Sequence, residues 1–264
     1  MDDKGRESGH LMLITPDRVF YAGLVGRPRQ RCQGAFNVYV ALKGSLWLTT
    51  SDGDERYGEL LVVPPNTRHT LNSDHRSAIA ILIEPESLRP GALEDLTERL
   101  TGLHRDLFIS KIRGAYDMLR SRCNGEDITS SRLDAMCFGE SLPRRELDPR
   151  VVRAIAQIGR FSGEPVTAAS CAVEAGLSSS RFLHLFKEET GIAFRSFRAW
   201  KRARHLLHFA NQDINLAHLA QDIGYPDSTH FSHSIRRFYG LKPRAIFSGS
   251  RDLAIYRSGD AALS

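Results

Sequence analysis

Short apolar runs, alternating in part, fill the first third of the chain. Phe36-Asn37-Val38-Tyr39-Val40-Ala41-Leu42 stops at the turn signal Lys43-Gly44, and Leu46-Trp47-Leu48-Thr49-Thr50 runs into Ser51-Asp52-Gly53-Asp54. Leu60-Leu61-Val62-Val63 ends at Pro64-Pro65, which cannot continue a central strand because proline has no N–H to donate. Ala78 to Ile83 is a further run and reads as a buried strand. Short strands punctuated by glycine and proline predict β-structure over residues 11–86, as a small barrel or sandwich with Tyr39 and Trp47 in its core.

The period changes after Pro90. Leu93, Leu96, Leu100 and Leu103 recur at helical spacing, as do Leu107, Ile112, Tyr116 and Leu119. Two helices are expected here, either packed on the β-domain or pairing with a second subunit. Residues 139–147 hold Gly, Ser, Pro and charges and read as a linker. Asp148-Pro149 then places a capping residue before a proline at the first helical position, and Val151, Ile155 and Ile158 open an all-helical segment that runs to about Phe247.

That segment repeats itself. Val173 to Gly191 and Ala220 to Gly240 align, with one extra residue in the second turn: Gly176 matches Gly224, Phe182 matches Phe231, and His184 matches His233. In each copy a first helix (about Thr167 to Glu174, then Leu216 to Ile223) meets a glycine able to take positive φ. A Ser or Asp then caps a second helix. The second helix has one apolar stripe, Phe182, Leu185 and Phe186 in the first copy and Phe231, Ile235 and Phe238 in the second. Its outer stripe carries Ser179, Ser180, Arg181, His184 and Lys187, then Ser228, Thr229, Ser232, His233 and Arg236. Hydroxyl, imidazole and guanidinium groups can reach base edges in a major groove, so these ten residues are the candidate DNA-binding set. Between the copies, Phe194 to Phe209 has Phe197, Trp200, Ala203 and Leu207 on one face and Arg195, Arg198, Lys201, Arg202 and Arg204 on others. A helix of that length, ~24 Å at ~1.5 Å per residue, could hold two recognition helices about one DNA turn apart. About half of its cations are expected to touch phosphate.

Charge points the same way. The net charge is +5, and from Asp148 onward there are 16 basic against 10 acidic side chains, while the preceding residues hold 20 against 21. The positive excess therefore lies wholly in the helical half, as a polyanion partner there would require. No apolar stretch approaches the ~20 residues that span a bilayer, and Met1 to His10 lacks the apolar core of a secretory signal. The four cysteines, Cys32, Cys123, Cys137 and Cys171, form no C-x-x-C pair. No zinc site or disulfide framework is suggested, and a reducing cytoplasm is the expected setting.

At these residues the chain resembles the AraC/XylS family of bacterial transcription regulators, over roughly Asp148 to Ser248. The resemblance rests on Gly176 and Ser178 in the first turn, Leu185-Phe186-Lys187, Thr190-Gly191, Ala203-Arg204 with Leu206-Leu207, Ile223-Gly224-Tyr225, and Gly240-Leu241-Lys242-Pro243. The family commonly has Arg where His184 and His233 stand, which bears on base preference rather than on fold. The resemblance implies a two-domain molecule that binds duplex DNA, acts as an activator contacting RNA polymerase, and has a cupin-like N-terminal domain that binds a small-molecule effector or forms a homodimer. The expected division is residues 1–90 as a cupin-like β-barrel for sensing or dimerisation, 91–138 as its helical extension, 139–147 as linker, and 148–250 as an AraC-type DNA-binding domain with two helix-turn-helix units.

Two other classes compete. Gly58-x5-Pro64-x-Asn66-x2-His69 resembles the second cupin motif, which would suit a metal-dependent oxygenase or isomerase. Arg31, Gln33 and Asn37 stand where the first motif would place His, His and Glu, and one histidine cannot supply the three protein ligands that a catalytic metal takes. No metal, cofactor or enzymatic role is therefore expected, and His69 reads as a strand-end histidine or an effector-cavity wall. Cys171 reads as a small buried residue rather than a redox sensor. The third class is a partner-binding adaptor whose helices only present a solvated basic face.

Overall fold

The computed structural model describes residues 9–27, 29–121, 128–160, 166–247 and 252–258. Cys123 and most of the Met1 to His10 segment lie outside these residues.

Strands β1 (Leu11–Ile14), β2 (Arg18–Leu24), β3 (Phe36–Ala41), β4 (Leu46–Thr50), β5 (Glu55–Gly58), β6 (Leu60–Val63), β7 (His69–Ser73) and β8 (Ser77–Ile83) build the N-terminal domain. They form two sheets rather than a closed ring, a six-stranded one in the order β6-β3-β8-β2-β1-β9 and a three-stranded one in the order β5-β4-β7. The edge strand β9 (Ala254–Arg257) comes from the far end of the chain and pairs parallel with β1, Leu11 against Ala254. This return past the helical domain carries no signal in the strand pattern of the first third.

Alternation along the strands distributes the core. In β1, Leu11 and Leu13 face one side of the large sheet, and Met12 and Ile14 face the other. The first side packs against α1 (Ala92–Thr101), α2 (Arg105–Ser121) and α3 (Ser130–Phe138) through Leu96, Leu100, Ile112 and Phe138. Part of the second side meets the small sheet through Leu46, Leu48 and Leu71. The remaining part meets the helical domain.

Of the two roles open to the leucine stripe, Leu96 and Leu100 take the intramolecular one, both being buried in the core. Several expectations are corrected here. Leu103 lies beyond the end of α1 and is fully exposed, and Leu107 is half exposed. A third helix, α3, joins the two expected; Thr129 caps it by accepting from Arg132 N. Tyr39 is core, but Trp47 is not: it sits on the outer face of β4, with Tyr57 beside it at 5.1 Å. Alternation decides this, because Leu46 and Leu48 take the inward positions.

The segment expected to be a linker is anchored. Leu142 is buried, and Arg144 donates to Asp17 at 2.8 Å. Nearby, buried Arg18 is held bidentately by Asp134 at 2.9 and 3.0 Å, tying β2 to α3.

Candidate nucleic-acid interface

The helical domain begins with α4 (Pro149–Arg160), where Asp148 accepts from Arg150 N at 2.8 Å. The first unit is α5 (Ala168–Glu174) and α6 (Ser179–Thr190), and the second is α8 (Leu216–Asp222) and α9 (Ser228–Tyr239). Between them lies α7 (Phe194–His205), followed by a 3₁₀ turn over Leu206–Phe209 and not by continued α-helix. The short helix α10 (Pro243–Phe247) closes the second unit.

Local chemistry explains the units. Thr167 and Ser170 form a capping box on α5, and Asn215 caps α8. Gly176 and Gly224 turn the chain at φ 64° and 78°, which a side chain would disfavour. Ser178 then caps α6 and Asp227 caps α9, with Asp227 accepting from Thr229 N at 2.7 Å and His230 N at 2.8 Å.

Packing orients the helices. Phe182 and Phe186 bury against Phe194 and Phe197 of α7, and Phe186 meets both rings at 5.1 Å. Phe231, Ile235 and Phe238 bury in the second core with Trp200 and Ala203 of α7. The helix α7 thus gives its first half to one unit and its second half to the other. With those stripes inward, Ser179, Ser180, Arg181, His184 and Lys187 of α6 are exposed. On α9, Ser228, Thr229, His233 and Arg236 are exposed and Ser232 is half-buried.

The cations of α7 do not all lie at the surface. Lys201 and Arg204 do not face solvent: Lys201 Nζ lies 2.6 Å from Glu84 and 2.5 Å from Glu86, both of the N-terminal domain. Arg204 donates to Thr15 O at 2.6 Å, and its Nε lies 3.0 Å from Glu84 without hydrogen-bond alignment. Lys201 and Arg204 are therefore taken up by the N-terminal domain, in keeping with an expectation that about half of the run meets phosphate. The reason is a pair of acidic residues far away in the chain, which no local pattern links to α7.

His69 opens β7 and is 1% exposed; its Nε2 lies 2.9 Å from Tyr39 Oη, and its Nδ1 lies 2.9 Å from Thr67 O. Burial, with the charge of Arg31 nearby, lowers its pKa to about 4, so it is neutral near pH 7. Among the described residues, no group of three His, Cys, Asp or Glu side chains could hold a metal ion. Cys171 is buried, and burial raises its thiol pKa. No helix among the described residues is long and apolar enough to cross a membrane.

Two helix-turn-helix units thus share one helix, α7, and are joined to a two-sheet domain, a two-domain molecule of the helix-turn-helix class. Residues 171–248 match the helix-turn-helix domain family. The chain is similar to the HTH-type transcriptional activator RhaS of Escherichia fergusonii, with 32% identity over 111 residues, or 41% of this chain. That match spans 39% of the relative's length. In fold it is similar to apo ToxT of Vibrio cholerae, with a TM-score of 0.55 and 13% identity, covering 88% of this chain and 97% of that one. ToxT bound to an unsaturated fatty acid gives a TM-score of 0.50 at 13% identity, over 89% and 97% of the two chains. The likeness to ToxT extends through both domains.

Proposed function

We propose that this protein is a transcription regulator, acting as an activator, that binds duplex DNA with α6 and α9 in successive major grooves. The observation that carries the reading is the pair of capped helices, each with its aromatic stripe buried against α7 and its polar, cationic stripe exposed. Ser179, Ser180, Arg181, His184 and Lys187 contact one groove, and Ser228, Thr229, Ser232, His233 and Arg236 the next. Contact with RNA polymerase and assembly as a homodimer complete the activator reading, in the cytoplasm and without a catalytic step. Anisotropy titration of the full chain against duplexes recovered by in vitro selection tests it. Selection should enrich a sequence with two half-sites about one turn apart. A folded chain with no affinity for duplex DNA at low salt would refute the reading and favour the adaptor class.

The N-terminal domain is the effector site in this reading. A cavity of about 270 Å³ lies between the large sheet and the second unit, walled by Tyr21, Tyr39, Leu82, Leu207, Tyr239 and Ile246. Burial holds Tyr21 and Tyr39 neutral, with pKa values pushed up to about 12. Arg31 also lines it, and its buried Nε and Nη2 have no hydrogen-bond partner. Two buried guanidinium nitrogens without an acceptor are costly, so an apolar molecule with one carboxylate suits this cavity. Calorimetric titration with medium-chain fatty acids and their methyl esters tests the ligand class. Binding of acid and ester alike, or of neither, would exclude an anionic effector.

A further inference from the structure

A second cleft, of about 350 Å³, opens where the N-terminal domain meets α9. From the N-terminal domain it is lined by Gln30, Arg31 and Arg68, and from α9 by His233, Arg236 and Arg237. Four of these side chains are arginines, and no acidic residue lines the cleft. Among the described residues none of the four forms an ion pair; Arg237 instead lies over the Phe238 ring at 5.2 Å. Such a group of like charges is unfavourable by itself and calls for an anion from outside the chain.

The cleft is held in shape by backbone hydrogen bonds. Cys32 N donates to Arg237 O at 2.8 Å, next to the end of α9. Arg31 and His69 exchange backbone bonds at 2.8 and 3.0 Å, and Asn66 N donates to Gln33 O at 2.7 Å. The segment around Arg31 therefore ties the loop before β7, which carries Arg68, to the C-terminal end of α9. His233 and Arg236 belong to the same stripe as Thr229, one helical turn apart in each step, so the cleft continues the proposed groove-facing surface.

We propose that the N-terminal domain itself contacts DNA: Arg68, together with Arg236 and Arg237, clasps the phosphate backbone that flanks the groove occupied by α9. This rests on the DNA-binding reading above and extends it to a residue outside the helix-turn-helix units. A phosphate strand fits because it is a continuous row of anions beside the groove, and guanidinium binds phosphate oxygens in a forked, bidentate manner. Placing part of the clasp on each domain makes DNA affinity depend on the docking of the two domains.

The test uses the full chain and compares wild type with R68A, R68Q, R68K and the control R89A. Anisotropy titrations are run across a salt series on a selected duplex and on a random-sequence duplex. Each phosphate contact contributes about 0.9 to the slope of log K against log salt. R68A and R68Q should lower that slope by about this amount and weaken binding several-fold on both duplexes alike. R68K should retain most of the slope, and R89A all of it. The Arg68 side chain is exposed and R68Q keeps part of its stem, so the fold should be unaffected; equal melting temperatures would verify this. An unchanged slope in both R68A and R68Q overturns the inference alone. Tighter binding by R68A also overturns it, since the N-terminal domain would then obstruct the groove. A wild-type chain that binds neither duplex overturns the functional reading and this inference with it.

Discussion

Lys201 of α7 places its ammonium 2.6 Å from the carboxylate of Glu84, at a point where Glu84 is 1% exposed. The same carboxylate accepts from Trp200 Nε1 at 3.0 Å, so two consecutive residues of the helix shared by both DNA-binding units converge on one acid of the N-terminal domain. Burial by itself would raise the Glu84 pKa, but the charges of Lys201 and Arg204 outweigh it and hold the carboxyl below its ordinary value. Replacing one partner of such a buried pair strands the other and typically costs ~3–5 kcal/mol. E84Q should therefore lower the urea-unfolding free energy by about that much.

The same pair sets an acid dependence. Because the Glu84 pKa is lower in the folded chain than in the unfolded one, its stabilisation is complete above the unfolded value of ~4.3 and is lost as pH falls through the folded value. Glu86, also on Lys201, is pushed up by burial and takes its proton first, leaving Glu84 to hold the lysine. Wild-type stability should thus fall more steeply than that of E84Q below about pH 4. Parallel losses in denaturation curves at graded pH would show that Glu84 does not titrate in this way.

His184 and His233 occupy matching exposed positions on α6 and α9, each two residues after a buried phenylalanine. An imidazole makes one hydrogen bond to a base edge, so H184A and H233A should each cost near the low end of the ~1–3 kcal/mol of a good bidentate contact. The loss should be larger on a selected duplex than on a random one. Equal losses on both would place these side chains on the backbone, and no loss would remove them from the interface.

Gly34 is a close-approach site. A Cβ there would lie 2.6 Å from Cγ of Trp200, whose ring is buried and cannot swing away. G34A should destabilise the docked molecule by roughly 1–3 kcal/mol, as overpacking does. Thermal melting should show this loss as a lowered melting temperature. A melting temperature equal to wild type in G34A would mean that the two domains yield easily at this contact.

The two helix-turn-helix units differ in their independence. The core of the first contains only residues of the helical half, among them Val151, Ile158, Phe182 and Phe197. The core of the second includes Met12, Ile14, Val19 and Leu82 of the N-terminal domain. In a fragment starting at Asp148, hydrogen exchange should remain slow in α5 and α6 and become fast in α8 and α9. Equal protection of both units would show that the second folds without the N-terminal sheet.

Much of the helical half was legible in its residues because the signals there are local. Helical period, the capping Ser178 and Asp227, and the glycines at Gly176 and Gly224 act within a few residues, so they locate α5, α6, α8 and α9 and the stripe that α6 and α9 expose. The alternation in the first third likewise marks β3, β4, β6 and β8, although apolar character alone misassigned Trp47 and Leu103. What the sequence could not decide is which distant groups meet. Lys201 and Arg204 look like solvent-facing cations until Glu84 and Glu86 are placed against them, and Arg68 looks like an ordinary loop residue until α9 lies beside it. β9, the closing of the second unit's core by the N-terminal sheet, and the unpartnered Nε and Nη2 of Arg31 have the same origin. Secondary structure follows from the torsional and capping preferences of neighbouring residues. The charge environment of a side chain follows from whatever the fold brings to within a few ångströms, and that is a property of the tertiary structure alone.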